Sequence, residues 1–385
     1  MKKNIIIITS NRAEYGILKP LISLFSKSNE FKLNLIVSGA HVSKTFGQTY
    51  KEITKDGFKI KSSIECLIDN DSEVSVSKSM SILSLSLCEK ISEIKPDCII
   101  LLGDRFETHA CASVSAVMNI PIAHIQGGEI TEGAIDDKLR HSITKLSNFH
   151  FVFTEVYKKR VIQMGEDPDN VYNVGALNGE SLLKVKKISK TEIEKLINFK
   201  IDSNTILFTF HSVTLEPGTS ERYIKTIIRV FEFKKDLRII FTKTNPDADG
   251  RVINKYIDNF VKKNGERSIA VKSLGHFKYI NTLRHVSLLM GNSSSGIIET
   301  PFLSLPTINI GTRQKGRVRA SNIIDCECSF DEIINALKKY KSKKFIIGLK
   351  NISNPYKINN TSSKIYSILK QKLKKMQNKK SFYDV

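Results

Sequence analysis

Short β-branched apolar runs alternate with amphipathic stretches along most of this chain, a pattern that predicts parallel sheets clothed by helices on both faces. In the first half, the runs at 5–9, 33–38, 97–102, 121–125 and 150–154 read as strands, with helices at 16–27, 107–118 and 136–147 between them. The stretch 16–27 places Ile17, Leu18, Leu21, Ile22, Leu24 and Phe25 on one helical face. Around 171–182 the pattern breaks, in Asn173-Val174-Gly175-Ala176-Leu177-Asn178-Gly179, and then restarts. Strands are expected at 205–210, 237–242, 286–290 and 307–310, with helices at 220–233, at 249–263 and from Ser295. Two α/β halves follow, at 1–172 and 173–361, and 362–385 forms a helix and tail that returns to the first domain. No repeat of fixed period is visible.

In an open α/β sheet, ligands bind at the carboxyl edge of the strands, so the polar strings that end these runs are the places to look for chemistry. Gly103-Asp104-Arg105-Phe106-Glu107 and His124-Ile125-Gln126-Gly127-Gly128-Glu129 each close such a run, and Asp136-Asp137 follows within one loop. Several carboxylates beside Arg105 and His124 suggest proton chemistry on a small molecule. Asn11-Arg12-Ala13-Glu14-Tyr15-Gly16 lies between the first strand and the first helix, where a phosphate could meet backbone N–H groups and a guanidinium. A surface ion pair is the plainer reading of Arg12 taken alone.

In the second half, Gly291-Asn292-Ser293-Ser294-Ser295-Gly296 follows a strand and opens a helix containing Glu299. Such a turn offers hydroxyls and N–H groups to a diphosphate, and a carboxylate to ribose hydroxyls; a Ser-rich helix cap would look the same. Gly311-Thr312-Arg313-Gln314-Lys315-Gly316-Arg317 concentrates cations at the same edge, as a solvated basic loop also would. His211 ends another strand and is a candidate facing the ligand, and His41 ends a further one.

Length and composition narrow the classes. At 385 residues and 41% hydrophobic, the chain can fill two cores. No stretch approaches the roughly 20 apolar residues of a membrane span, and Met1-Lys2-Lys3-Asn4 runs straight into Ile5 with no cleavage site, so a soluble cytoplasmic protein is expected. Six irregularly spaced cysteines read as free thiols, and eight histidines without a His-x-x-x-His pair argue against a zinc site. The chain has no Gly-x-Gly, which argues against NAD or flavin. The net charge of +21 is mostly lysine on presumed helix faces; it favours an anionic ligand, while no aromatic-interleaved platform points to nucleic acid.

Asn11-Arg12-Ala13-Glu14-Tyr15, Gly103-Asp104-Arg105, Gly127-Gly128-Glu129, Arg140-His141-Ser142-Ile143-Thr144-Lys145, Gly291-Asn292-Ser293-Ser294 and Gly311-Thr312-Arg313 together resemble the hydrolysing UDP-N-acetylglucosamine 2-epimerases of nonulosonic acid synthesis. The resemblance runs over about 4–357 and implies two Rossmann-like domains in a glycosyltransferase-B arrangement, with a nucleotide sugar in the cleft between them. It implies loss of the C2 proton, anti elimination of the nucleoside diphosphate, and hydration of a 2-acetamidoglucal to the free 2-epimer, without a cofactor or a metal. By resemblance, Asp104, Asp136 and His211 are catalytic, and Arg12, Ser293, Ser294, Glu299 and Arg313 contact the nucleotide sugar. His41, Arg105 and Gln126 join the substrate-binding candidates.

Two positions depart from the family pattern. Gln126 stands where many members carry a carboxylate, and Ile17 where many carry a lysine. Glu129 is therefore the candidate replacement base, with a backbone-capping role as the alternative. The strings Thr49-Tyr50-Lys51-Glu52-Ile53, Ser77-Lys78-Ser79-Met80 and Thr131-Glu132-Gly133-Ala134 look closer to legionaminic members acting on nucleotide-linked N,N'-diacetylbacillosamine. UDP-N-acetylglucosamine is the alternative substrate. A retaining glycosyltransferase on the same frame and a nucleic-acid-binding protein are the remoter readings, and a homo-oligomer is expected.

Overall fold

A computed structural model of the chain describes residues 2–45, 47–68, 72–213, 216, 218–244, 250–375 and 380–385. Among the described residues there are thirteen strands: β1 Lys3–Thr9, β2 Phe31–Ser38, β3 Ile60–Ile64, β4 Cys98–Leu102, β5 Ile122–Ile125, β6 Phe149–Val152, β7 Val171–Asn173, β8 Thr205–Thr209, β9 Arg238–Thr242, β10 Ser268–Val271, β11 Leu288–Gly291, β12 Thr307–Ile310 and β13 Ile323–Cys326. They build one seven-stranded sheet, ordered β3-β2-β1-β4-β5-β6-β7, and one six-stranded sheet, ordered β10-β9-β8-β11-β12-β13. All pairings are parallel. In each sheet the strand order reverses once, between β1 and β4 and between β8 and β11. Those are the points where loops on either side of a crevice diverge and a ligand can enter.

The burial pattern explains the sheets. Every residue of β4 and of β8 is buried, as strands covered on both faces must be. In the second sheet the alternation is explicit, since Ile206 and Phe208 belong to one core and Leu207 to the other. The first of these cores is rich in phenylalanine, with Phe208, Phe231 and Phe241 in edge contacts at 5.2–5.8 Å between ring centroids.

The chain divides into two compact units. One holds 1–129, 136–181 and 356–385, and the other 130–135 and 182–355. The expected cut at 172/173 lies inside the first unit: Asn173 still pairs with Val152 of β6, and the Ala176 N–H donates to the Tyr356 carbonyl at 2.9 Å. The C-terminal helix, Thr361–Lys375, belongs to that first unit.

Strands β3, β7, β10 and β13 and the long helix Glu73–Ile94 had no counterpart in the sequence reading. In that helix serine alternates with apolar residues, a strand-like pattern. Yet the buried positions are Ser75, Ser79, Leu83, Leu87 and Ile91, every fourth residue. The Ser77, Ser79, Ser81 and Ser84 hydroxyls donate back to the carbonyls four residues earlier at 2.8–3.2 Å, which lets polar side chains sit on a helix. The helix expected from Asp249 is observed as Gly250–Lys263; Asp249 itself lies outside the described residues. All six cysteines are free, with Cys66, Cys98, Cys111 and Cys326 buried.

Candidate active site

In the first unit, a buried guanidinium gathers the acidic strings that follow β4 and β5. Arg140, fully buried on the helix Asp136–Leu146, donates through Nη2 to the Asp104 carboxylate. Its Nη1 reaches Asp137 Oδ1 at 3.1 Å and the Glu129 carbonyl at 2.9 Å. Burial works against the charge on Arg140, but Asp104 and Glu129 outweigh it and raise its pKa, so the cation is permanent. Asp104 is about one-fifth exposed, with its side chain at the rim of the sheet edge, and Asp136 opens the same helix half-buried.

Glu129 is fully buried and accepts from the Gln126 amide at 3.2 Å. Gln126 has φ +76°, a left-handed backbone that an ordinary side chain adopts rarely, and this turn aims its amide at Glu129. The uncharged side chain of Gln126 thus binds the neighbouring acid.

The ring nitrogens of the two histidines near this edge are held by the protein's own groups. His124 donates from Nε2 to the Gly103 carbonyl at 2.8 Å and meets the Thr144 hydroxyl through Nδ1 at 3.2 Å. Burial drives its pKa down to about 3, so it is a neutral tether that fixes the turn before Asp104. His41 is buried between the Thr9 and Thr49 hydroxyls at 3.1 and 2.8 Å, and burial lowers its pKa to about 4. Both ring nitrogens of His41 are therefore occupied by the protein itself.

Arg12 begins the helix Arg12–Ser26, capped by Asn11, whose side chain accepts from the Glu14 N–H. Its guanidinium lies 3.8 Å from Glu52. Arg105 pairs with buried Glu107 at 3.1 Å. Glu14, which accepts from the Ser10 N–H and the Asn11 amide at 2.8 and 2.7 Å, has its pKa pushed up to about 7 by burial and by the Glu107 charge. Arg12, Glu14, Arg105 and Glu107 thus line the loops on the two sides of the β1/β4 reversal.

In the second unit, Asn292 organises the matching reversal between β8 and β11. Its Oδ1 accepts from the His211 N–H and its Nδ2 donates to the His211 carbonyl, both at 2.7 Å. Its own carbonyl accepts from Arg313 Nη1 at 3.1 Å and from Gln314 Nε2 at 2.9 Å. One buried amide therefore fixes His211, the serine turn and the basic loop against each other. Gly291, with φ +133°, makes this possible: a Cβ there would run into the Thr209 carbonyl oxygen.

Ser293 and Ser294 are half-exposed at this edge. The helix they open spans only Ser295–Ile298, and Glu299 accepts from the Ser295 hydroxyl at 2.6 Å. The segment 130–135, which joins Glu129 to Asp136, is clasped by the basic loop: Lys315 pairs with Glu132 at 2.7 Å, and the Glu132 N–H donates to the Lys315 carbonyl.

The pair of parallel-sheet α/β units recurs in known proteins. The sequence profile of the UDP-N-acetylglucosamine 2-epimerase family matches residues 24–370. The chain belongs to this family. It is 41% identical over 344 residues, 89% of each chain, to a protein of Campylobacter jejuni named GDP/UDP-N,N'-diacetylbacillosamine 2-epimerase (hydrolyzing). It is 35% identical over 385 residues, all of this chain and 98% of the other, to the polysialic acid biosynthesis protein P7 of Escherichia coli. A crystal structure of the Neisseria meningitidis UDP-GlcNAc 2-epimerase bound to UDP-GlcNAc superposes with a TM-score of 0.83 at 19% identity, over 96% of this chain and all of that one. The likeness shows the fold, two Rossmann-like α/β domains.

Sequence reasoning reached Arg140 and Asn292 only inside family strings and gave neither a role, although the two organise this site. Arg140 had a signal: an Asp at 137 and an Arg at 140 lie on one helical face at i,i+3 spacing. For Asn292 the only hint was an amide directly after a buried strand. Among the described residues, no helix is long and apolar enough to cross a membrane.

Proposed function

We propose that this epimerase hydrolyses a nucleotide-linked N-acetylated amino sugar with inversion at C2, releasing the nucleoside diphosphate and the free 2-epimer. The preferred substrate is UDP- or GDP-linked N,N'-diacetylbacillosamine, giving 2,4-diacetamido-2,4,6-trideoxymannose for legionaminic-type acid synthesis. The name and 41% identity of the Campylobacter jejuni relative favour it. UDP-N-acetylglucosamine is the second reading, favoured by the family description. A cytoplasmic, homo-oligomeric enzyme goes with either reading.

The observation that carries the proposal is the cluster of Asp104, Asp137 and the Glu129 backbone on buried Arg140, at the carboxyl edge of the first sheet. A C2 hydrogen is weakly acidic, so its removal needs a positioned carboxylate and a stabilised leaving group together. In this reading Asp104, Asp136 and Glu129 supply the acid and base steps, with His211 beside the sugar. Arg12, Ser293, Ser294, Glu299 and Arg313 bind the nucleotide and its diphosphate, and His41, Arg105 and Gln126 support the sugar side. The C2–H and C1–O bonds break as the C1–C2 double bond forms. Water then adds at C1, and a proton returns to C2 on the opposite face.

The test is turnover in deuterated water with UDP-N-acetylglucosamine and with UDP- and GDP-diacetylbacillosamine. The expected product is the free 2-epimer of the diacetylated sugar, carrying one solvent deuterium at C2. A product without C2 deuterium rules out elimination and re-addition, and transfer to an added acceptor with no free sugar returns the chain to the glycosyltransferases.

The leaving-group half is tested separately. Arg313→Ala is expected to weaken nucleoside diphosphate binding about 10-fold or more in a calorimetric titration, the usual weight of a charge-assisted hydrogen bond. Arg313→Lys recovers only part, since a point charge does not reproduce the planar fork. Unchanged affinity in Arg313→Ala removes this residue from the diphosphate site.

A further inference from the structure

The helix Asp136–Leu146 carries Asp136, Asp137 and Arg140 at its near end, and at its far end it is held by residues 380–383. Lys380 Nζ donates to the Lys145 and Ser147 carbonyls at 2.6 and 2.7 Å, the orphan acceptors that a helix leaves at its last turn. The same ammonium lies 2.7 Å from Glu166 Oε2. Glu166, almost fully buried, also takes Lys145 through Oε1 and His150 through Oε2, each at 2.7 Å. Burial disfavours its charge, but these three partners outweigh it and hold its pKa down at about 2.

The tail is seated by more than one contact. The Tyr383 N–H donates to the Gly165 carbonyl at 3.0 Å, and the Phe382 ring lies 4.9 Å from Lys145 Nζ. Gly165 has φ +83°, and a Cβ on it would enter the Phe382 ring, so the glycine leaves room for the tail as well as for its own turn. Lys145 in turn donates to the Met164 carbonyl at 2.9 Å, which ties the helix end to the loop under the tail. A cation at a helix C-terminus is also favourable toward the helix dipole.

We propose that residues 380–385 clamp the far end of this helix and that Lys380 is a positioning residue for the carboxylates at its near end. The helix is about three turns long and rigid, so a shift at Lys145 is carried to Arg140 and Asp136. The inference rests on the functional reading only in taking the Asp136 end as the site of chemistry.

Two variants and a truncation test it. Lys380→Ala is expected to lower kcat roughly 10-fold with KM nearly unchanged, as misplacement of a reacting group does. Lys380→Arg, which keeps the charge and the donors, recovers most of the loss. A chain ending at Lys375 is expected to show faster amide hydrogen exchange in the last turn of the helix and unchanged exchange in β8–β13. Unaltered kcat in Lys380→Ala, an equal loss in Lys380→Arg, or unchanged exchange in the truncated chain overturns the clamp. If the wild-type chain turns over none of the nucleotide sugars, the functional reading fails and the exchange experiment alone decides.

Discussion

Asp104→Asn is expected to lower kcat by roughly 10²-fold or more, the scale of losing a general acid or base. The substitution changes volume little and keeps a carbonyl oxygen for Arg140, which now donates to the Asp104 carboxylate. The fold should survive while proton transfer does not. Nucleoside diphosphate affinity, measured by calorimetry, is expected to stay at the wild-type value, because Ser293, Ser294, Glu299 and Arg313 lie in the other unit and Arg12 is held by Glu52 rather than by Asp104. Asp136→Asn should behave in the same way. Wild-type turnover in either variant removes that carboxylate from the chemistry, and a combined loss of activity and of diphosphate binding reassigns it to substrate binding.

Asp104 could be found from the sequence because β4 is five apolar residues in a row, and such a run between polar strings admits few readings other than a buried parallel strand. Once that strand is fixed, the next polar residues must lie at its carboxyl edge, and the same logic reaches Gln126, His211 and Arg313. What periodicity does not reveal is which of those residues point at a ligand and which at each other. His124 looked like a proton-transfer group by position, yet Gly103 and Thr144 occupy its ring nitrogens. His41 is likewise filled by two threonine hydroxyls. The helix Glu73–Ile94 was illegible for another reason: its serines imitate a strand, and their hydroxyls satisfy themselves on the helix's own carbonyls. Strand β3 reads Ile-Lys-Ser-Ser-Ile and holds a place at the sheet edge that pairing with β2 gives it rather than its own composition. The C-terminal contacts at Gly165 and Glu166 are long-range, and no local pattern encodes them.

Arg140→Met is expected to destabilise the first unit by about 3 kcal/mol, the lower end of what removing one partner from a buried ionic cluster costs. The side chain is fully buried and serves three acceptors, so its loss strands more than one group. Asp104 and Asp137, one-fifth and one-quarter exposed, can turn toward water and recover part of their solvation. The Glu129 carbonyl belongs to a fully buried residue and has less room to do so, which keeps the cost well above that of a surface pair. Arg140→Lys should restore less than half, because one ammonium on a shorter reach cannot span both carboxylates and the carbonyl. In a urea titration followed by hydrogen exchange, the shift should fall on β4, β5 and the helix Asp136–Leu146 and spare β8–β13, since the two units have separate cores. An Arg140→Met chain as stable as wild type would mean that the cluster is already hydrated in the native state, and the gathering of the acids would then need another explanation.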